Sequence, residues 1–291
     1  MKPLIFVYDA GSKNSGSTAM RIFQLSQIAK SARIISKIVS NEIDFNGISE
    51  AILLFSKNCG KWASENQDLI KRIRNRNMLC YDPLDNLLDK NTLLYFDCIL
   101  AYSLTQYFYL SNYFPRIHPI LHHYDLFLKP QNFEKTKTIG YFGETINMLT
   151  PKSRHLSNMI DIHHIDTTDQ RKNSDWRSEA VKYDFHYTSR NSRPIDGYKP
   201  FTKGFNAAAS NSIVVLHRPK KNSEEALLLG PDYPFYIEKN TDLSSPEAVT
   251  DFLYQDDSRR KHAMDIMRYL KELSSPEAIS DQLLQFIATA S

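Results

Sequence analysis

Short apolar runs alternate with amphipathic stretches along the first 125 residues. LIFVYD (residues 4–9) has the length and the aromatic, β-branched character of a buried strand. STAMRIFQLSQIAK (17–30) repeats its apolar positions with a helical period, and Ser17 can cap it. ARIISKIV (32–39) and AILLFSK (51–57) predict two further strands, and ENQDLIKRIRNR (65–76) predicts a helix. NMLCYD (77–82), CILAYS (98–103) and PILHHYD (119–125) complete the strand set. This alternation predicts a mostly parallel sheet with helices on both faces.

LKPQNFEKTK (128–137) is polar and aperiodic, which makes it the expected linker, and the strand–helix rhythm restarts after it. TIGYFG (138–143), MIDIHHID (159–166), YDFHYTS (183–189) and SIVVL (212–216) read as strands, and Pro151 breaks the segment between the first two. TKGFNAAAS reads as a short helix entered at Thr202 and stopped at Asn211 and Ser212. In the tail, LSSPEAV and LSSPEAI each place serine as cap, proline at the first helical position and glutamate at the positive end. A third helix over 259–273 aligns Ala263, Ile266, Met267 and Leu270 on one face. The expected division is an N-terminal unit over 1–130 and a second over 137–275. A final helix over 276–291 should return to the first unit.

A length of 291 residues exceeds the usual single domain of about 100 to 150 residues, in keeping with two units. With 42% hydrophobic and 24% charged residues the chain is globular in composition. A net charge of +3, from 36 basic and 33 acidic residues, argues against a dedicated nucleic-acid binder. The basic run Lys71, Arg72, Arg74 and Arg76 reads as a solvated helix face. Cys59, Cys80 and Cys98 have the spacing of neither a disulfide framework nor a thiolate metal site. The opening MKPLIFVYDAG has too short an apolar run for a signal peptide, and no stretch approaches the roughly 20 apolar residues of a membrane helix. A cytoplasmic protein is expected, and peripheral contact with the inner face of a membrane is compatible with that.

Parallel sheets bind ligands beyond the carboxyl ends of their strands. The first half offers there Asp9 with the loop AGSKNSGS, then Lys57, Asp82, Asp85, Ser103, His122, His123 and Asp125. The loop sets Gly11 and Gly16 around Ser15, with Ser17 where a phosphate-binding P-loop would have lysine. It reads as a tight turn that lets a ligand approach the backbone. YDPLDN reads as a turn at Asp82 and Pro83. The second half offers Gly140 to Glu144, His163, His164, Asp166, Arg190, Lys203, Glu224 and Glu225. The histidine pairs in LHHYD and DIHHID lack tetrahedral ligand spacing, so no catalytic metal is expected, and one imidazole could serve as a general base. A lysine at the start of a helix opposes the helix dipole, which makes sense where an anion binds. Lys203 and Arg190 together suit a diphosphate, and a glutamate beside them suits the two hydroxyls of a ribose.

The two α/β halves, TIGYFG, and the K-P-x-T-K-x-x-N-A element over 199–207 before SIVV resemble nucleotide-sugar glycosyltransferases of the two-Rossmann, GT-B type. VYDAGSKNSGSTAMRIFQL also resembles the first strand, loop and helix of such enzymes. The resemblance implies a donor held by the second half, with Lys203 and Arg190 on the diphosphate, Glu224 or Glu225 on the ribose, and Gly143 opening the loop beneath it. It implies an acceptor on the first half near Gly11, Ser15, Gly16 and Ser17: a glycan, a lipid-linked glycan or another hydroxyl compound. The co-substrate is then a nucleoside-diphosphate sugar, with no bound cofactor. Many retaining members carry two glutamates eight positions apart in this region, where Leu216 and His217 stand before Glu224 and Glu225. An inverting route would need a base, for which Asp9, His122 and His123 are the candidates. A nucleotide-sugar epimerase and a non-catalytic sugar- or partner-binding protein are the alternatives.

Overall fold

The computed structural model describes residues 2–85, 90–129, 135–191 and 198–290, so the middle of the expected linker lies outside the described residues. Strands β1 (Leu4–Tyr8), β2 (Ser36–Ser40), β3 (Ile52–Phe55), β4 (Met78–Tyr81), β5 (Cys98–Ala101) and β6 (Ile117–Pro119) form one parallel sheet in the order β2-β1-β3-β4-β5-β6. Strands β7 (Lys137–Gly143), β8 (Ile160–His164), β9 (Tyr183–Tyr187), β10 (Ile213–His217) and β11 (Tyr236–Ile237) form a second parallel sheet, ordered β11-β10-β9-β7-β8. Both sheets therefore start in the middle, step once to one side and then run out on the other. Connections on the two sides leave for opposite faces, which opens a crevice at the β1/β3 and β7/β9 strand ends.

Strand alternation divides the first core in two. Leu4, Phe6, Ile52 and Leu54 pack under Leu25, Ile28 and Ala29 of the first helix, whereas Ile5, Val7, Leu53 and Phe55 meet Ala63, Ile70 and Ile73 on the other face. The first helix begins one residue earlier than the sequence suggests. Its cap is Ser15, whose side chain accepts from the Thr18 N–H, and the helix runs through Gly16–Thr18, a wider turn over Ala19–Gln24 and Leu25–Ser31. The strand expected over 119–125 instead covers Ile117–Pro119, and Ile120 N–H adds one more bond to the Ala101 carbonyl at 2.9 Å. Beyond it, His122 Nδ1 and His123 Nδ1 each turn to the carbonyl of the following residue, and the segment leaves the sheet.

The second sheet is covered by the helix Thr202–Ala209, whose small residues permit close packing. Gly204 is required there, because a Cβ would stand 2.2 Å from the Phe201 ring. Ala207, Ala208 and Ala209 are buried, and helix Asp257–Leu273 buries Ala263, Met267 and Leu270. The two repeated tail signals start helices as their chemistry requires: Ser245 caps Pro246–Tyr254, and the Ser275 hydroxyl accepts from Ala278 N–H at the start of Pro276–Ala290. That last helix packs Ile279, Leu283, Phe286 and Ile287 onto the first sheet, and Gln282 accepts from Leu121 N–H at 2.7 Å.

Asp82 does more than start a turn. It is buried against Arg21, with Nε–Oδ2 at 2.7 Å and both side chains at 1% exposure or less, and Arg21 Nη1 donates to the Leu121 carbonyl. Removing one partner of such a pair strands a buried charge. Asp82→Ala should therefore cost about 3 to 5 kcal/mol in urea unfolding, and Arg21→Met with Asp82→Leu should recover most of that loss.

Candidate functional site

The carboxyl ends of the two sheets enclose a cleft of about 700 Å³, within the range of small-molecule sites. The segment after β1 contributes Gly11, Ser12, Ser15, Gly16 and Ser17, and the end of β3 contributes Lys57 and Asn58. Facing them are Gly143 and Glu144 after β7, Thr188 and Arg190 after β9, and Lys203 at the start of its helix. Phe142, Ile165 and Trp176 form an apolar wall at one end.

Three sets of hydrogen bonds fix the width of the cleft. Gly16 N–H donates to the Thr167 carbonyl at 2.8 Å, and Gln170 N–H to the Asn14 carbonyl at 2.9 Å. Asp125 N–H donates to Asn206 Oδ1 at 2.8 Å while its carboxylate meets Arg177 at 2.7 Å. On the opposite flank, Glu224 accepts from the Leu104 and Thr105 N–H groups at 3.0 and 2.9 Å and from the Thr105 hydroxyl at 3.0 Å. Ser103 adds a hydroxyl bond to the Tyr198 carbonyl at 2.8 Å.

Most of the cleft charge is balanced locally. Asp85 meets Lys57 at 2.7 Å and Lys199 at 3.8 Å, and Arg190 is paired with Glu225. Lys203 differs. Its ammonium is buried with no hydrogen-bond partner among the described residues and lies 3.8 Å from the centroid of the Tyr141 ring. Gly143, at φ 153°, makes room for it, since a Cβ there would come within 2.9 Å of Lys203 Cε. Burial, then repulsion from Arg190, pushes the Lys203 pKa down to about 7, against attraction from Glu144. This is a cation site without an anion.

The expected site residues separate on this geometry. Lys203, Arg190, Glu225, Gly143, Gly11, Ser15, Gly16, Ser17 and His122 line the cleft together. Asp9 is not among the lining residues: Asn41 Nδ2 donates to its carboxylate at 3.1 Å, and Asn41 Oδ1 accepts from Ala10 N–H, so Asp9 braces the loop. Glu224 has both carboxylate oxygens occupied by the helix opposite, which leaves Glu225 as the glutamate beside Arg190. His123 is buried with its two ring nitrogens against the Tyr124 and Met20 carbonyls, and burial lowers its pKa to about 4. Its neutral ring has one N–H and two oxygen neighbours, so it faces structure on both sides. His122 donates Nδ1–H to the His123 carbonyl in the neutral ring that burial enforces, which leaves Nε2 as its lone-pair nitrogen. The apolar wall and the Thr167–Gln170 segment went unread in the sequence. Their only signals are an aromatic in SDWRSEA and a polar run after a strand. Among the described residues, no group of three His, Cys, Asp or Glu side chains is placed to hold a metal ion.

No family model and no curated protein matches the chain. Its likeness to solved structures lies in the fold. An α-glucosyltransferase solved with UDP and a 13-mer DNA containing a HMU base aligns over 99% of this chain and 100% of its own, at 11% identity and a TM-score of 0.59. The α,α-trehalose 6-phosphate synthase of Burkholderia multivorans aligns over 99% of both chains, at 9% identity and a TM-score of 0.59. TarM is similar over 81% of this chain at 13% identity and a TM-score of 0.47, and the chain spans 54% of its length. The fold is thus α/β and GT-B-like, with two parallel-sheet units facing a cleft.

The buried ammonium sets a pH dependence. A lysine whose folded pKa lies below its unfolded value binds fewer protons when folded, so stability rises with pH between about 7 and the ordinary lysine range. Lys203→Met should stabilise the ligand-free protein at pH 6.5 by roughly 1 to 3 kcal/mol, the scale of an unsatisfied buried polar group. The gain should shrink at pH 9.5, as urea unfolding of both proteins at the two pH values would show.

Proposed function

We propose that the protein is a glycosyltransferase that moves a sugar from a nucleoside-diphosphate donor to a hydroxyl acceptor. The observation that carries this reading is the Lys203 ammonium, buried without a hydrogen-bond partner among the described residues, at facing strand ends and in the same cleft as Arg190. A diphosphate supplies the missing acceptors, and its charge grows as the glycosidic bond breaks, so the contact strengthens toward the transition state. Arg190, held by Glu225, is placed to share that charge. The apolar wall of Phe142, Ile165 and Trp176 is suited to the flat face of the base. The likeness in fold to the α-glucosyltransferase solved with UDP supports the same assignment.

In this reading the acceptor, a glycan or lipid-linked glycan, enters on the side of Gly11 to Ser17, and His122 Nε2 is the first-half nitrogen nearest to a base role. Residues 1–130 then form the acceptor side, and 137–275 the donor side. The leaving diphosphate is stabilised by Lys203 and Arg190.

Titration calorimetry with UDP, GDP, ADP and CDP tests this directly. At least one should bind, and Lys203→Ala should weaken that binding by roughly 1.5 to 3 kcal/mol, the scale of a charged hydrogen bond. The free lysine sits near pKa 7, and an adjoining diphosphate raises it. At pH 8, binding should therefore take up as much as about one proton, read as a dependence of the observed enthalpy on buffer ionisation heat. A parent protein that binds none of the four would remove the proposal.

A further inference from the structure

Among the described residues, four carboxylates line the cleft: Asp85, Asp125, Glu144 and Glu225. Asp85 is held by lysine, and Asp125 and Glu225 by arginine. Glu144 is in no ion pair among the described residues. Its carboxylate is nonetheless fixed in place, accepting from Asn147 Nδ2 at 2.6 Å through one oxygen and from the Thr167 hydroxyl through the other. Each oxygen keeps a second lone pair. The backbone is anchored as well, since the Tyr141 hydroxyl donates to the Glu144 carbonyl at 2.8 Å. Tyr141 is also the ring on which the Lys203 ammonium rests, so the carboxylate and the cation share one support.

We infer that Glu144 determines which sugar is transferred, by accepting hydrogen bonds from hydroxyls of the sugar carried on the diphosphate. The inference rests on the donor reading above. A diphosphate at Lys203 brings its terminal substituent past Gly143, and the next side chain along the strand end is Glu144. A carboxylate without a cation has acceptor capacity that hydroxyl groups can use, and a fixed one discriminates between hydroxyl orientations. Glu224 differs because it is bonded to the helix at Leu104 and does not line the cleft, and Glu225 because it is paired with the Arg190 guanidinium. Thr167 closes the arrangement: it holds Glu144 and, through its carbonyl, Gly16 of the opposite half, so the sugar-facing carboxylate is fixed to the acceptor-side loop.

Calorimetry on the parent and on Glu144→Gln tests the inference, with UDP, UDP-glucose, UDP-galactose and UDP-N-acetylglucosamine, and with GDP and GDP-mannose, as probes. In the variant, the best-bound sugar nucleotide should lose about tenfold or more in affinity, one charged hydrogen bond's worth. The corresponding diphosphate should stay within about twofold, because its contacts are with Lys203 and Arg190. Discrimination between the UDP-sugars should narrow. Equal losses for diphosphate and sugar nucleotide would show that Glu144 only maintains the loop, and no loss for either would show that it touches nothing. Turnover that falls with sugar-nucleotide affinity unchanged would assign it to the acceptor's proton instead. Each of these three outcomes overturns the inference while leaving the donor reading intact. A parent that binds no diphosphate removes both.

Discussion

The carboxylate of Glu224 holds the start of helix Leu104–Leu110 from across the cleft, and the placement of the two sheets depends on it. Burial of a carboxylate is costly, and here it pushes the Glu224 pKa up against the pull of the donors it accepts from. Two backbone N–H groups and one hydroxyl at a helix start are the partners that make such burial tolerable. Neither half can offer this arrangement alone, because the donors are on one sheet's helix and the acceptor on the other's. With that flank fixed, Asp125 ties the region where the chain passes between sheets to Arg177 and Asn206. The distance between facing strand ends follows from these two buried carboxylates.

Within that frame most of the cleft charges find a partner, some within one half and some across the cleft. Arg190 and Glu225 come from neighbouring strand ends of the second sheet, and Lys57 meets Asp85 within the first. Among the described residues the Lys203 ammonium has no hydrogen-bond partner, only the Tyr141 ring and the attraction of Glu144, and a cation–π contact gives about 0.5 to 2 kcal/mol, little against the cost of desolvating an ammonium. The free protein therefore carries a buried ammonium without hydrogen bonds among the described residues, a local cost to stability at this one position.

Much of the architecture is legible because parallel strands advertise themselves as short apolar runs, and β1, β3, β7 and β10 fall where LIFVY, ILLF, TIGYFG and IVVLH stand. β11 was missed because two residues carry no period. The 119–125 run misled because Ile120 and Leu121 are buried by Pro276–Ala290, a helix more than 150 residues later, and not by continuing the sheet. In the site, Lys203 was legible since its position conflicts with the helix dipole, and such conflicts point to ligands. The choice between Glu224 and Glu225 was open in the sequence for a different reason. Adjacent glutamates at a helix start look alike in sequence, and only tertiary placement turns one to Thr105 and the other to Arg190. Asp9 likewise ends a strand as a catalytic base would, yet Asn41 from the neighbouring strand end donates to it and it lies outside the cleft lining.

The glycines at the facing strand ends show where an anion can bind and where it cannot. In a phosphate-cradling loop, glycine leaves backbone N–H groups open to the ligand. Gly16 instead spends its N–H on the Thr167 carbonyl, and a Cβ there would stand 3.1 Å from Gln170 Nε2. Its lack of a side chain lets the other half approach, which closes the cleft. Gly143 lacks a side chain for another reason, since Lys203 lies against it. One glycine thus serves closure and the other makes room for a cation. In this closed arrangement Gly143 makes room for the Lys203 ammonium, and the loop after β1 shapes the opposite wall.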